Sequence, residues 1–190
     1  MRTRRAVPPC VGLDLSLVAP AACRIPSGWE IGDWGALDVM AWEPPPVPEV
    51  VPGAPPDHDA LYCRLSWIAR RVVEFCLPLS VAAGIEPRPV VAIENYGFSR
   101  KSSSVTKLAE LGGAVRVALW DQGIVARPIT ASAGRKLLLG RVPVKGQKAR
   151  AQAALWAAGC PKTWSGDVLD AFVCANTLLS DQGAPALTLA

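Results

Sequence analysis

A carboxylate inside a short apolar run is the feature of this sequence that most restricts its fold. The run Val11-Gly-Leu-Asp14-Leu15 has the composition of a buried central strand, and Asp14 is its one charged residue. An isolated ionised carboxylate is costly to bury unless it has partners. We therefore expect Asp14 to lie where other parts of the chain bring it a compensating group or a function.

The remaining apolar patterns predict strands first, and then strands and helices in alternation. Predicted strands cover residues 21–25, 36–42, 89–94 and 124–129. Predicted helices cover residues 61–79, a segment capped within 102–104 and continuing to about 119, residues 132–139, residues 146–158 and residues 167–180. This order is typical of a mixed α/β sheet with helices packed on its faces. We interpret residues 1–190 as a single domain.

Residues 26–60 are expected to form an acidic, proline-rich insertion or long loop. They contain seven Asp or Glu and no Lys or Arg, and seven prolines fall within residues 44–56. Proline lacks a backbone N–H, so residues 44–56 cannot pair as a central strand. The segment also contains Trp29, Trp34 and Trp42, which we expect to anchor its flanks to the core.

Positive charge is concentrated in residues 95–150. This stretch contains eleven Lys or Arg against two acids, although the net charge of the whole chain is only +4. Such a distribution favours a polyanionic partner such as nucleic acid. Solvated helix faces are the alternative interpretation, and charge alone does not separate the two.

Several functional classes have little support in the composition. The six cysteines form no C-x-x-C pair and His58 is the single histidine, so neither a structural zinc site nor histidine-based hydrolysis is favoured. No apolar run is long enough for a membrane span or a secretory signal. We expect reduced, buried thiols and a cytoplasmic protein, in a bacterial cell or in the host cytoplasm if it is virus-encoded.

Four carboxylates form the candidate site. Asp14 lies in the first strand, Glu94 ends the strand of residues 89–94, and Asp167 and Asp170 are three residues apart on one face of the last helix. Each acid of the last helix taken alone is explained by a helix start or a solvated turn. If the four converge, they repel one another unless cations lie between them. Mg²⁺ or Mn²⁺ suits oxygen ligands, and two such ions about 4 Å apart would clamp a phosphate.

These motifs resemble those of RuvC-type Holliday junction resolvases, in the ribonuclease H-like superfamily. Val11-Gly-Leu-Asp14-Leu-Ser16 resembles the family's first strand, and Val91-Ala-Ile-Glu94 the strand that carries its second acid. Ser165-Gly-Asp167-Val-Leu-Asp170 resembles its final helix. The interval from Asp14 to Glu94 is longer than usual, and we assign the extra residues to the segment 26–60.

The resemblance implies a ribonuclease H-like fold, a dimer, and metal-dependent cleavage of a four-way DNA junction by water. A basic pair, a glycine and a downstream lysine match Arg135-Lys136, Gly140, and Lys145 or Lys148; of these, Lys136 and Lys148 are expected to approach the phosphate at the cut. The expected DNA-binding residues are Tyr96, Phe98, Arg100, Lys101, Lys107, Arg135, Lys136, Arg141, Lys145 and Lys148. A nuclease for flaps, forks or RNA–DNA hybrids and a non-catalytic DNA-binding module remain alternatives. A sugar-kinase-like ATPase is disfavoured, because 190 residues is short for two lobes.

Overall fold

The described part of the chain forms one five-stranded mixed sheet with helices against both of its faces. In this computed structural model the described residues are 7–46, 58–77, 88–95, 103–141, 143 and 145–189. The strands are β1 (Cys10–Asp14), β2 (Ala21–Ile25), β3 (Asp38–Ala41), β4 (Val90–Glu94) and β5 (Ala126–Ile129). The helices are α1 (His58–Cys76), α2 (Ser103–Asp121), α3 (Ala131–Leu139), α4 (Gln147–Ala157) and α5 (Gly166–Asp181). Every predicted strand and helix is present, with ends shifted by a few residues.

The sheet has the strand order β3-β2-β1-β4-β5. β1, β2 and β3 pair in antiparallel fashion, whereas β4 lies parallel to β1 and β5 lies parallel to β4. Because β1 and β4 are parallel neighbours, their carboxyl ends meet at one edge of the sheet. The two strand-borne acids of the sequence analysis stand at those ends.

Alternate residues of β1 enter two separate apolar layers. Val11 and Leu13 pack with α1 and α2, while Cys10 packs with α5 on the opposite face. The helix α5 is the most buried of the helices described, and Phe172 and Leu178 are fully enclosed. One face of the sheet is thus covered by two amphipathic helices, and the other by a single, largely apolar helix.

The helix α5 approaches β1 so closely that only glycine fits between them. A Cβ atom placed on Gly12 would lie 2.0 Å from the carbonyl oxygen of Ala171 and 2.4 Å from the amide nitrogen of Ala175. Both of those atoms belong to backbone, which has little freedom to move aside. Gly12 lies two residues before Asp14 and therefore on the same face of the strand. The glycine of the Val-Gly-Leu-Asp motif thus lets α5 lie directly beside Asp14.

The three tryptophans of the acidic segment pack against the core, as predicted. The Trp34 ring contacts Phe172 at 5.3 Å between centroids, and its Nε1 donates to the carbonyl oxygen of Ala158 at 3.1 Å. Trp29 packs edge-on against Phe172, and Trp42 packs against Phe75 on the other face of the sheet. Glu30, Asp33, Asp38 and Glu43 are exposed. Residues 47–57, which hold the rest of the proline-rich loop, lie outside the described residues.

Five of the six cysteines are buried, as expected, and one is exposed. The six cysteines are free thiols, and Cys63 is the exposed one. Burial raises the pKa of Cys10 and of Cys76 to about 12, so both remain protonated thiols. His58 is exposed at the start of α1 and stacks on Tyr62. Among the described residues there is no helix long and apolar enough to cross a membrane.

Replacement of Gly12 by alanine tests the close approach of α5 to β1. Gly12→Ala should lower the free energy of unfolding by about 3 kcal/mol or more, because overpacking against fixed backbone leaves the added methyl group no room. Urea unfolding followed by circular dichroism measures the change. Gly113→Ala is the matched control: it lies within α2 with no atom within 4 Å of its added Cβ, and alanine should stabilise the helix by about 1 kcal/mol. Equal stability of Gly12→Ala and the wild type would contradict the packing.

Candidate metal and nucleic-acid site

The ends of β1 and β4 bring Asp14 and Glu94 together. In the parallel register Leu13 lies beside Ile93, and the next residue of each strand is the acid. Asp14 is 8% exposed, and Glu94 is half-buried. The pairing between the strands therefore places two carboxylates at one edge of the sheet, in a partly desolvated setting.

The start of α5 adds Asp170 and Asp167 to this edge. The Ser165 hydroxyl caps the helix by accepting a hydrogen bond from the amide of Val168 at 3.2 Å. Asp167 lies in the first turn and is half-buried, and Asp170 is buried, with 5% of its surface exposed. Since α5 lies against β1 at Gly12, the two helix acids face the strand acids.

The four carboxylates share one electrostatic field, which is visible in the pKa of Asp14. Burial, followed by the negative charges of Glu94, Asp170 and Asp167, raises that pKa from 3.8 to about 7, against an opposing effect of Lys148. The pKa of Glu94 is also raised, by burial and then by Asp170. The cluster therefore carries more negative charge than its neighbours neutralise.

Two cations from different helices bind Asp170. Arg135 of α3 donates from Nη2 to Oδ1 at 2.9 Å, and Lys148 of α4 approaches Oδ2 with its Nζ at 2.6 Å. Arg135 can reach Asp170 because α3 packs closely on α5 at Gly134, where an added Cβ would lie 2.6 Å from a methyl group of Val173. The predicted basic stretch, residues 95–150, thus contributes two side chains from different helices to the carboxylate cluster.

The structure distinguishes the members of the predicted basic pair. Arg135 points into the site and its side chain is 15% exposed, whereas the next residue, Lys136, is exposed to solvent. From the resemblance, Lys136 was expected to lie near the scissile phosphate. The contacts described here favour Arg135 as the residue beside the carboxylates, with Lys136 on the outer surface of α3.

The other predicted DNA-binding residues fall into two groups. Three of them are exposed: Lys107, Arg141 and Lys145. Lys145 immediately precedes Gly146, the N-cap residue of α4. Tyr96, Phe98, Arg100 and Lys101 lie outside the described residues.

One neighbour of the site was missed by sequence reasoning. Cys174 lies one turn after Asp170 on α5, and its pKa is raised well above 9.0 by burial, then by Glu94, Asp14 and Asp170. Its Cβ would also lie 3.0 Å from a Cβ added to Gly12. The Cys174 thiol is thus a neutral group packed beneath the carboxylates. Its spacing of four residues from Asp170 was the available signal.

The donor chemistry of the cluster fits a hard divalent cation. Its oxygen ligands and its uncompensated negative charge are what Mg²⁺ and Mn²⁺ prefer. Within the described ranges, no three His, Cys, Asp or Glu side chains are grouped so as to hold one ion together. Both oxygens of Asp170 are engaged by Arg135 and Lys148. The residue types therefore fit a metal, which at Asp170 would compete with Arg135 and Lys148 for the same carboxylate.

The pKa of Asp14 predicts how protein stability depends on pH in a chelator. The unfolded chain ionises Asp14 near pH 4 and the folded protein near pH 7, so folding loses stability as pH rises through this window. Asp14→Asn removes the charge and should raise the free energy of unfolding by about 2–4 kcal/mol above pH 7. Near pH 4 the gain should vanish. Urea unfolding in EDTA at pH 4.5 and pH 8 measures it; an equal effect at both values would contradict the shared field.

Comparisons with known proteins show which fold this is. No protein-family model and no curated protein matches the sequence. The solved structure of Thermus thermophilus RuvC is similar, with 16% identity, a TM-score of 0.57, and coverage of 94% of this chain and 98% of that chain. The T. thermophilus RuvC structure in complex with a Holliday junction substrate is 14% identical, with a TM-score of 0.57 and coverage of 95% and 99%. The predicted ribonuclease H-like fold, a mixed sheet flanked by helices, is thereby confirmed.

Proposed function

We propose that this protein is a metal-dependent endonuclease that cleaves branched DNA, with the four-way junction as its main substrate. The observation that carries the proposal is the convergence of Asp14, Glu94, Asp167 and Asp170 in one field. The similarity to RuvC, one structure of which is in complex with a Holliday junction substrate, supports the choice of substrate. A DNA-binding module that does not cleave would gain nothing from these acids, which repel the DNA backbone.

The carboxylates would hold Mg²⁺ or Mn²⁺, as two ions in each site. A bound ion of this kind supplies positive charge that activates a water molecule and stabilises the departing oxygen of the phosphodiester. Asp14 and Glu94 are held in place by paired strands, and Asp170 by α5, so the ligands are fixed on rigid elements.

The cations beside the cluster have a role of their own. Arg135 fixes the Asp170 carboxylate from the buried side, while Lys148, whose side chain is 50% exposed, lies at the solvent side of the same carboxylate. A lysine at this position suits contact with a phosphate as negative charge develops there. Lys136, Arg141 and Lys145 extend the positive surface outward from the site.

A homodimer would place two such sites on one junction. The surface of α2 and of the turn that leads to β5 exposes large apolar side chains: Val117 is 62% exposed, Trp120 67% and Val125 58%. Beside it, an apolar groove of about 720 Å³ lies between α1 and α2. Paired cuts in a two-fold symmetric junction require two related active sites. We propose this face as the dimer contact.

Cleavage of a four-way junction, a flap, a fork, an RNA–DNA hybrid and a plain duplex, each with Mg²⁺, tests the proposed function. The junction should be cut fastest, in two opposed strands, by a species that sediments as two chains. Asp14→Asn, Glu94→Gln and Asp170→Asn should each slow cleavage at least about 100-fold, because each removes a ligand. Junction binding measured in EDTA should persist in all three variants.

Asp181→Asn is the control for these variants, because Asp181 is an exposed acid at the far end of α5. It should cleave as the wild type does. Near-normal cleavage by any two of the three site variants would overturn the carboxylate mechanism. Preference for the flap, fork or hybrid would keep the mechanism and change the substrate.

A further inference from the structure

Asp170 has both of its carboxylate oxygens occupied by cations of this chain. Oδ1 binds Arg135 and Oδ2 binds Lys148, at 2.9 and 2.6 Å. The Asp170 side chain is only 6% exposed, so these two cations and the surrounding chain cover most of the carboxylate. A metal that uses Asp170 must therefore compete with these two cations for the same carboxylate, because their positive charges repel it.

The two cations differ in how easily they can leave. The Arg135 side chain is 15% exposed, and its Nε is buried with no hydrogen-bond partner among the described residues. Removing the guanidinium from Asp170 would therefore leave more buried donors unpaired. The Lys148 side chain is 50% exposed and lies in the first turn of α4, beside water. A flexible lysine stem can swing outward and exchange Asp170 for solvent or for a phosphate. Lys148 is therefore the exchangeable partner.

The carboxylates attract Lys148 as a group. Burial lowers the pKa of Lys148, but the hydrogen bond that Lys148 donates to Asp170 and the charges of Asp170, Asp14 and Asp167 outweigh it and raise that pKa overall. The Lys148 ammonium thus neutralises part of the negative charge of the cluster, as a monovalent cation would. A divalent ion brings twice the charge to the same oxygens and competes with it directly.

We propose that Lys148 is an exchangeable cation of the carboxylate cluster, displaced from Asp170 by the divalent metal and thereby released toward the DNA phosphate. The inference rests on the proposed function, since it assumes a metal at these acids. Arg135 stays in place and positions Asp170. Because the coupling is reciprocal, metal should tighten DNA binding and DNA should tighten metal binding, both through this one side chain.

Calorimetric titration of Mg²⁺ into the full chain without DNA tests the competition. Lys148→Met should bind Mg²⁺ about 5- to 10-fold more tightly than the wild type, because the competing ammonium is gone. Lys162→Met is the matched control, an exposed lysine outside the predicted DNA-binding set that forms no ion pair with Asp170 among the described residues. Its Mg²⁺ affinity should equal that of the wild type. Lys148→Arg, which keeps the charge, should stay close to the wild type.

The second readout is junction affinity measured by fluorescence anisotropy, with and without Ca²⁺, which has the same preference for oxygen ligands. Ca²⁺ should tighten junction binding by the wild type and by Lys162→Met, and much less by Lys148→Met. Equal Mg²⁺ affinity of Lys148→Met and the wild type, with binding still abolished by Asp14→Asn, would overturn the exchange and leave the proposed function standing. Mg²⁺ binding that is absent in the wild type, or unaffected by Asp14→Asn, would overturn the proposed function itself.

Discussion

The close contact between α5 and the backbone of β1 at Gly12 is the constraint on which the rest of the site depends. A side chain at this position would collide with main-chain atoms of Ala171 and Ala175. Because Gly12 has no side chain, α5, the most buried of the described helices, packs directly against the strand that ends in Asp14. Asp170 then reaches the carboxylates at the sheet edge without any loop having to position it. A core-packing requirement and a functional geometry are thus met by one glycine.

The second organising feature is an excess of negative charge that the fold only partly neutralises. Burial and mutual repulsion raise the pKa of Asp14 to about 7, although Lys148 opposes the effect. Such a cluster lowers the stability of the fold, because removing one of its charges relieves the repulsion between the carboxylates. Arg135 and Lys148 contact Asp170 directly and also oppose the pKa rise of Glu94, yet that pKa stays raised. The remaining charge is the physical reason to assign the cluster to a divalent cation and a phosphate.

Much of this arrangement could be predicted from the sequence, because periodicity and strand order are local signals. Apolar runs and apolar residues at helical spacing predict the five described strands and the five described α-helices, but not the short 3₁₀ helix Trp34–Ala36. The position of an acid at the end of an apolar run identifies Asp14 and Glu94. Rotation of one helix against another is not a local signal. The sequence therefore could not decide between Arg135 and Lys136, which depends on how α3 seats on α5 at Gly134. Nor could it show that Asp170 binds two cations, since their helices are distant along the chain.

Anomalous diffraction from crystals grown with Mn²⁺ tests the central claim, that these carboxylates form a metal site, most directly. The account predicts anomalous density within about 2.5 Å of carboxylate oxygens of Asp14 and Glu94. It also predicts that Asp170 is a ligand and that Nζ of Lys148 lies farther from Oδ2 than 2.6 Å. Manganese bound elsewhere, with the Lys148–Asp170 contact intact and no density at Asp14, would contradict it.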